Sequence, residues 1–259
     1  MQSPHEVKEK LNQLKSGDQV NLVLSGGAIK GVAHLPLIEY LEERKIKINA
    51  ISGSSAGAVV GVMYASGMKP REILHFFTAY PLFRYSWIRP GKGGIFNTLK
   101  YTQHFQDYIK KTFEELTIPV HICATNLNEG KPVYFKTGEL MQPLIASCAV
   151  PGIYSSVEIE DQLYADGGVM DNYPIAPFEN EPEITIGSFV RIPSVLDRNG
   201  LKTTRKIVKR SVFLQRFALE VPKFEKTYVT LLNELNEFSA FKQKDAEAIY
   251  TITKKKYFS

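Results

Sequence analysis

Apolar strands alternating with amphipathic helices predict an α/β fold, a mostly parallel sheet covered by helices. Three stretches carry that prediction. "VNLVLSGG" (20–27) is an apolar run, broken only by Asn21 and Ser25, that ends in glycines, the pattern of a strand buried on both faces. "VAHLPLIEYLEERKI" (32–46) follows with helical spacing, placing Leu35, Ile38, Leu41 and Ile46 on a related face. "KINAISGSSAGAVVGVMYASG" then repeats the scheme as a short strand, a tight Gly-Ser turn and an apolar helix.

The other elements follow in order. The polar N-terminus has no apolar leader and reads as a helix. Ser3 can cap it, Pro4 suits its first turn, and Glu6 completes a capping box. "GAVVGVMYASGM" (57–68) is short of the roughly 18 apolar residues of a membrane span and dotted with glycine, which suits a buried helix. "PVHICATNL" (119–127) and "EITIGSFV" (183–190) read as further buried strands, and "KPVYFKTG" (131–138) alternates like an edge or hairpin strand. No repeat or linker interrupts the 259 residues, so one domain over 1–259 is expected, with a basic helical part over 191–259.

Hydrophobic residues at 44% and charged residues at 23% exclude wholesale disorder. The net charge of +5 suits an anionic partner such as a phospholipid surface without demanding one, and nucleic acid is not expected. Cys123 and Cys148 are too few for a disulfide framework and have no metal-ligand spacing, which fits a cytoplasmic protein without metal or cofactor.

"SGGAIKGVAHL" (25–35) invites an anion-binding reading. A P-loop fails because Lys30 precedes Gly31 and no Ser or Thr follows it. Gly26, Ala28 and Gly31 match a dinucleotide fingerprint, but the second strand ends in "GSSAG" with no acid to hold a ribose. That "GSSAG" (53–57) is a G-x-S-x-G between strand and helix, the context of a nucleophile elbow. Gly53 and Gly57 would allow the sharp turn around Ser55; the competing reading is a Gly/Ser turn capping a helix. A base is harder to find. His75, His104 and His121 follow Ser55 too closely for an α/β-hydrolase triad, and His34 suits packing or hydrogen bonding better. Asp166, before Gly167 and Gly168, can point a carboxylate into a cleft or simply open a D-G turn.

"LSGGAIKGVAHL", "ISGSSAGAVVG", "ICATNLNEGKPVYF" and "ASCAVPGIYSSVEIEDQLYADGGVMDNYPI", in this order, resemble the patatin-like phospholipase family over most of 20–190. The resemblance implies a three-layer α/β/α sandwich with a mostly parallel sheet and a Ser–Asp dyad without histidine. Ser55 matches the nucleophile and Asp166 the acid. Gly26, Gly27 and Ala28 match the oxyanion loop, supported by Lys30, Gly31, Gly53, Gly57, Gly167 and Gly168. Two departures stand out: Ala28 replaces a third glycine, which questions a backbone angle open only to glycine, and Asn126 stands where an Asp is common.

On this reading the enzyme is a lipid acyl hydrolase of the phospholipase A or lysophospholipase type. An acyltransferase or thioesterase with the same dyad, or a silent lipid-binding module, are the rival classes. Segment 80–96 gathers five aromatic residues with Arg84, Arg89 and Lys92, as a lid, an acyl-chain contact or a packed loop would. The tract 198–219 holds seven basic residues and no acid, which suits either peripheral contact with anionic headgroups or a solvated helix face.

Overall fold

The computed structural model describes residues 4–80 and 105–258; the Ser3 cap and nearly all of segment 80–96 lie outside them. Helix α1 (Pro4–Asn12) precedes strand β1 (Gln19–Leu24). A 3₁₀ turn over Ala28–His34 leads into α2 (Leu35–Glu43), β2 (Lys47–Ser54), α3 (Ala56–Ala65) and α4 (Pro70–Ala79). From residue 105 onward come the hairpin β3 (Val120–Asn126) and β4 (Lys131–Phe135), then α5 (Met141–Ser147). A second hairpin follows, β5 (Val157–Ile159) with β6 (Gln162–Asp166), and then β7 (Ile184–Phe189), α6 (Thr204–Glu220), β8 (Tyr228–Leu231) and α7 (Ala246–Tyr257).

Five strands form the parallel body of the sheet in the order β3-β2-β1-β7-β8. Central β1 is apolar on both faces apart from the buried Asn21, because both faces are covered. Leu22 and Leu24 point into a large core under α1, α2, α3, α4 and α7, while Val23 points to a second core of Tyr173, Phe189, Phe224 and Val229. These two cores make the three layers. Among the described residues, no helix is long and apolar enough to cross a membrane.

Two boundaries differ from expectation. The helix expected over 32–46 starts as 3₁₀ at Ala28 and becomes α-helical only at Leu35. Pro36 explains this, since a proline deep inside an α-helix would clash with the carbonyl four residues back, whereas the first turn accepts it. The part over 191–259 is not only helical. Its "YVTL" forms β8, whose Val229 and Leu231 are buried beside β7.

The strand register positions the site. β2 ends with Ser54 opposite Cys123 of β3, and antiparallel β6 resumes the same edge with Asp166 opposite Ala124. Two strands from opposite directions therefore end at neighbouring positions of β3. On the outer edge, β4 pairs antiparallel with β3, and Asn126 Oδ1 accepts from the Asn128 and Glu129 amides to close their turn.

Candidate active site

Ser55 sits between β2 and α3 with φ 51° and ψ −121°, a conformation that costs a non-glycine residue on the order of 1–3 kcal/mol. Its neighbours permit the bend. A Cβ on Gly53 would lie 2.6 Å from the Ala58 nitrogen, and one on Gly57 would overlap the Leu24 carbonyl. The Ser55 amide donates to Ser147 Oγ at 2.8 Å, and that hydroxyl donates to the Cys123 carbonyl at 2.6 Å. Gly31 faces the same elbow, with room for no side chain against Ala56.

The loop after β1 is fixed by Ser25, whose Oγ accepts from the Val190 amide at 3.0 Å and whose own amide donates to the Ser188 carbonyl at 3.1 Å. His34 braces it from within the protein. A carbonyl only accepts, so the 2.8 Å contact with Ser25 O places the proton on Nε2, and Nδ1 accepts from Ser188 Oγ at 2.9 Å. Burial lowers the His34 pKa to about 4, so the ring is a neutral brace. The three residues expected to supply oxyanion donors then divide. The Gly26 amide donates to the Asn172 carbonyl at 3.3 Å, whereas the Gly27 and Ala28 amides have no partner among the described residues. Ala28 does adopt the angle doubted for it, φ 53°. Lys30, nearly buried, has its ammonium lowered to about 8 by burial and by Arg191.

Asp166 ends β6 with only 4% of its surface exposed. Its amide donates to the Ala149 carbonyl at 2.9 Å and its carbonyl accepts from Thr125 Oγ1 at 3.0 Å, which fixes the backbone. Oδ1 accepts from the Gly168 amide at 2.8 Å and caps a 3₁₀ turn over Gly167–Val169; no D-G hairpin forms here. Oδ2 is buried without a hydrogen bond. Burial holds this carboxyl above the ordinary carboxylate value, opposed first by the Ser55 hydroxyl and then by Arg216. Gly167 packs against the Cys123 carbonyl, and Gly168 leaves space for Asn172 Oδ1 and Arg216 Nη2.

A cleft of about 700 Å³ of empty space, partly open to solvent, joins Ser55, Asp166 and the 26–28 loop. Val59, Phe77, Phe105, Val150, Tyr154 and Phe241 give it an apolar wall. Among the described residues no histidine lines it. His121 packs edge-on against Phe178, His75 is exposed, and His104 lies outside the described residues.

Residue reading missed several groups that complete the site. Asn172 Nδ2 donates to the Gly26 carbonyl at 3.3 Å, so this residue ties the 26–28 loop to the Asp166 turn through both its side chain and its backbone. Its amide donates to Glu220 Oε1 at 2.8 Å. Behind it, Lys223 Nζ joins Asp171 at 2.6 Å and Glu220 at 2.7 Å, and the Tyr134 hydroxyl donates to Asp171 at 2.5 Å. Cys148, Arg191 and Arg216 also line the cleft. Asn172 belongs to the "MDNYPI" that follows the Asp166 turn, and Arg216 to the basic tract 198–219, which suggested a headgroup contact or a solvated face rather than this site; nothing in the chain pointed to residues 191, 220 or 223.

Comparison with known proteins gives the family. A family model described as patatin-like phospholipase matches residues 22–179. An uncharacterized NTE family protein of Mycobacterium tuberculosis is 36% identical over 166 residues, 62% of this chain and 46% of that protein. Lysophospholipase NTE1 of Cryptococcus neoformans is 30% identical over 178 residues, 62% of this chain and 10% of that protein. The chain thus spans under half the length of these curated relatives. Among solved structures, VipD from Legionella pneumophila is similar at a TM-score of 0.46 and 16% identity, over 71% of this chain and 52% of that chain.

Proposed function

The chain belongs to the patatin-like phospholipase family, and on that premise we propose that it is a lipid acyl hydrolase with Ser55 as nucleophile and Asp166 as its base. One observation carries the reading: a serine on a strained elbow stands beside a buried carboxylate with an unbonded oxygen, at the head of an apolar cleft.

Ser55 Oγ attacks the ester carbonyl of an acyl chain lying along the apolar wall, and Asp166 Oδ2 takes the hydroxyl proton. The amides of Gly27 and Ala28 hold the oxyanion, one such donor being worth about 10²–10³ in rate. Asp166 returns the proton to the leaving alcohol, then takes one from the attacking water and passes it to Ser55 Oγ as the fatty acid leaves. A carboxylate of ordinary pKa, about 3.9, is a weak base at neutral pH. Burial raises the basicity of this one.

The whole chain, 1–259, acts as one patatin-like unit in this proposal, with a phospholipid or related acyl ester as substrate. Helix α6 is its peripheral membrane contact, a cytoplasmic protein meeting an anionic leaflet. Ile207, Val208, Val212 and Leu219 are exposed there beside Arg205, Lys206, Lys209 and Arg210. Fatty-acid release from a panel of phospholipids, lysophospholipids and neutral lipids, with Ser55→Ala as control, tests the activity. Release from none of them, or equal release by the variant, overturns it.

A further inference from the structure

Two arginines flank the cleft, and both lie beyond the residues that the family model matches. Arg191 follows β7 and approaches the 26–28 loop, its Cγ 3.6 Å from where a Cβ on Gly27 would stand. Its guanidinium lies over the Phe213 ring of α6 at 4.9 Å. Arg216, also on α6, reaches the other side of the site, its Nη2 2.7 Å from the position of a Cβ on Gly168. Both also line a smaller recess behind the cleft, with Asn172, Phe213, Phe217 and Glu220.

Neither arginine has a carboxylate within ion-pair distance among the described residues. Glu220, the acid on the recess wall, is engaged by Lys223 and the Asn172 amide. Asp166 is the anion that acts on both guanidinium groups, and Lys30 adds a third cation whose charge Arg191 opposes. One carboxylate thus faces three cations, and partly buried positive charge in excess of its counter-charge is costly unless a ligand anion balances it.

We infer that Arg191 and Arg216 form a phosphate-binding subsite that holds the phosphate of the acyl ester while its chain lies in the apolar cleft. Guanidinium forks arriving from the oxyanion-loop side and from the Asp166 side suit a tetrahedral phosphate, which offers oxygens to both at once. The subsite rests on the acyl-hydrolase reading only for the identity of the acyl cleft.

Binding to the Ser55→Ala protein tests it without turnover, by titration calorimetry at constant ionic strength. The probes are a lysophosphatidic acid below its micelle concentration and the monoacylglycerol of the same chain. The phosphate-bearing lipid should bind at least about tenfold tighter, and Arg191→Gln and Arg216→Gln should each remove about 10- to 100-fold of its affinity. Arg→Lys variants, which keep the charge but lose the fork, should fall between, and thermal melts check that each variant folds. Inorganic phosphate competing with the lipid shows that the recess takes free phosphate; failure to compete assigns the affinity to the lipid headgroup. Equal binding of the two lipids, or discrimination that survives both Gln variants, overturns the subsite. Arginine-dependent binding in a protein that releases no fatty acid sinks the hydrolase reading alone.

Discussion

The backbone amide of Ser55 donates to the hydroxyl of Ser147 at 2.8 Å, so the elbow is held by a residue 92 positions away in the chain. Ser147 is fully buried at the end of α5 and donates its own hydroxyl hydrogen bond to the Cys123 carbonyl. Replacing it by alanine leaves the Ser55 amide unpaired next to a strained φ. We expect Ser147→Ala to lose about 1–3 kcal/mol of stability in urea unfolding. Ester hydrolysis should fall about tenfold or more at temperatures where the variant is folded. Full activity in a destabilised variant would show that the elbow stands without this bond.

The dyad separates into two experiments. Ser55→Ala should abolish covalent labelling by a fluorophosphonate probe together with hydrolysis. Asp166→Asn keeps an acceptor for the Gly168 amide at 2.8 Å and removes the base, so the protein should fold while hydrolysis drops roughly 10³-fold or more. Hydrolysis near the wild-type rate in either variant rejects the assignment.

The acid limb of the pH–rate profile follows from the same carboxyl. Asp166 must be ionised to take the serine proton, and burial holds its pKa above the ordinary value, so kcat/KM should rise with pH through a midpoint above about 3.9. Arg216 favours the charged form. Arg216→Gln should therefore move the midpoint upward, measured on a neutral ester such as p-nitrophenyl butyrate; a midpoint that stays put or falls contradicts this electrostatic coupling.

What could be read from the chain is what the chain builds locally. Ser55 was legible as a candidate because a strand, a small-residue turn and a helix are consecutive, whereas Asp166 read equally as a D-G turn until the ordered set of motifs resembled a family with a Ser–Asp dyad. Their adjacency was not legible, since it comes from β2 and β6 ending at neighbouring residues of β3. The Gly26 amide read as an oxyanion donor, yet it is turned to the Asn172 carbonyl, a partner 146 residues away. Arg191 has no local pattern, and Arg216 is one of seven basic residues in 198–219 with nothing to single it out. Only the fold brings Arg216 beside Gly168 and Arg191 beside Gly27. β8 was hidden because four residues between basic helical segments carry too little periodicity.

Ala28 is the one place where a departure from the family pattern became a measurable strain. Its φ of 53° costs an alanine roughly 1–2 kcal/mol relative to a glycine. Its amide must still point into the cleft for the proposed oxyanion hole. Ala28→Gly should therefore stabilise the fold by about 1 kcal/mol, less the entropy glycine adds to the unfolded chain, and should keep hydrolysis. A loss of stability would mean that the Ala28 methyl makes contacts worth more than its strain.

His34 makes stability depend on pH with a definite sign. Its folded pKa is about 4, below the ordinary 6.5, because burial penalises the charged ring, with the hydrogen bond to Ser25 O opposing in part. Between those values the unfolded chain binds a proton that the folded protein does not, so stability rises with pH across that window. The full contribution is present above 6.5 and is lost progressively toward 4. At pH 5 the loss is about 2 kcal/mol relative to neutral pH. Urea unfolding at pH 5 and 7, compared between wild type and His34→Gln, isolates it. The glutamine, which cannot protonate, should be less stable at neutral pH but should lack this part of the acid sensitivity. An equal pH dependence in both proteins would show that other groups, not His34, cause the acid loss, and that the folded ring takes up its proton over the same range as in the unfolded chain.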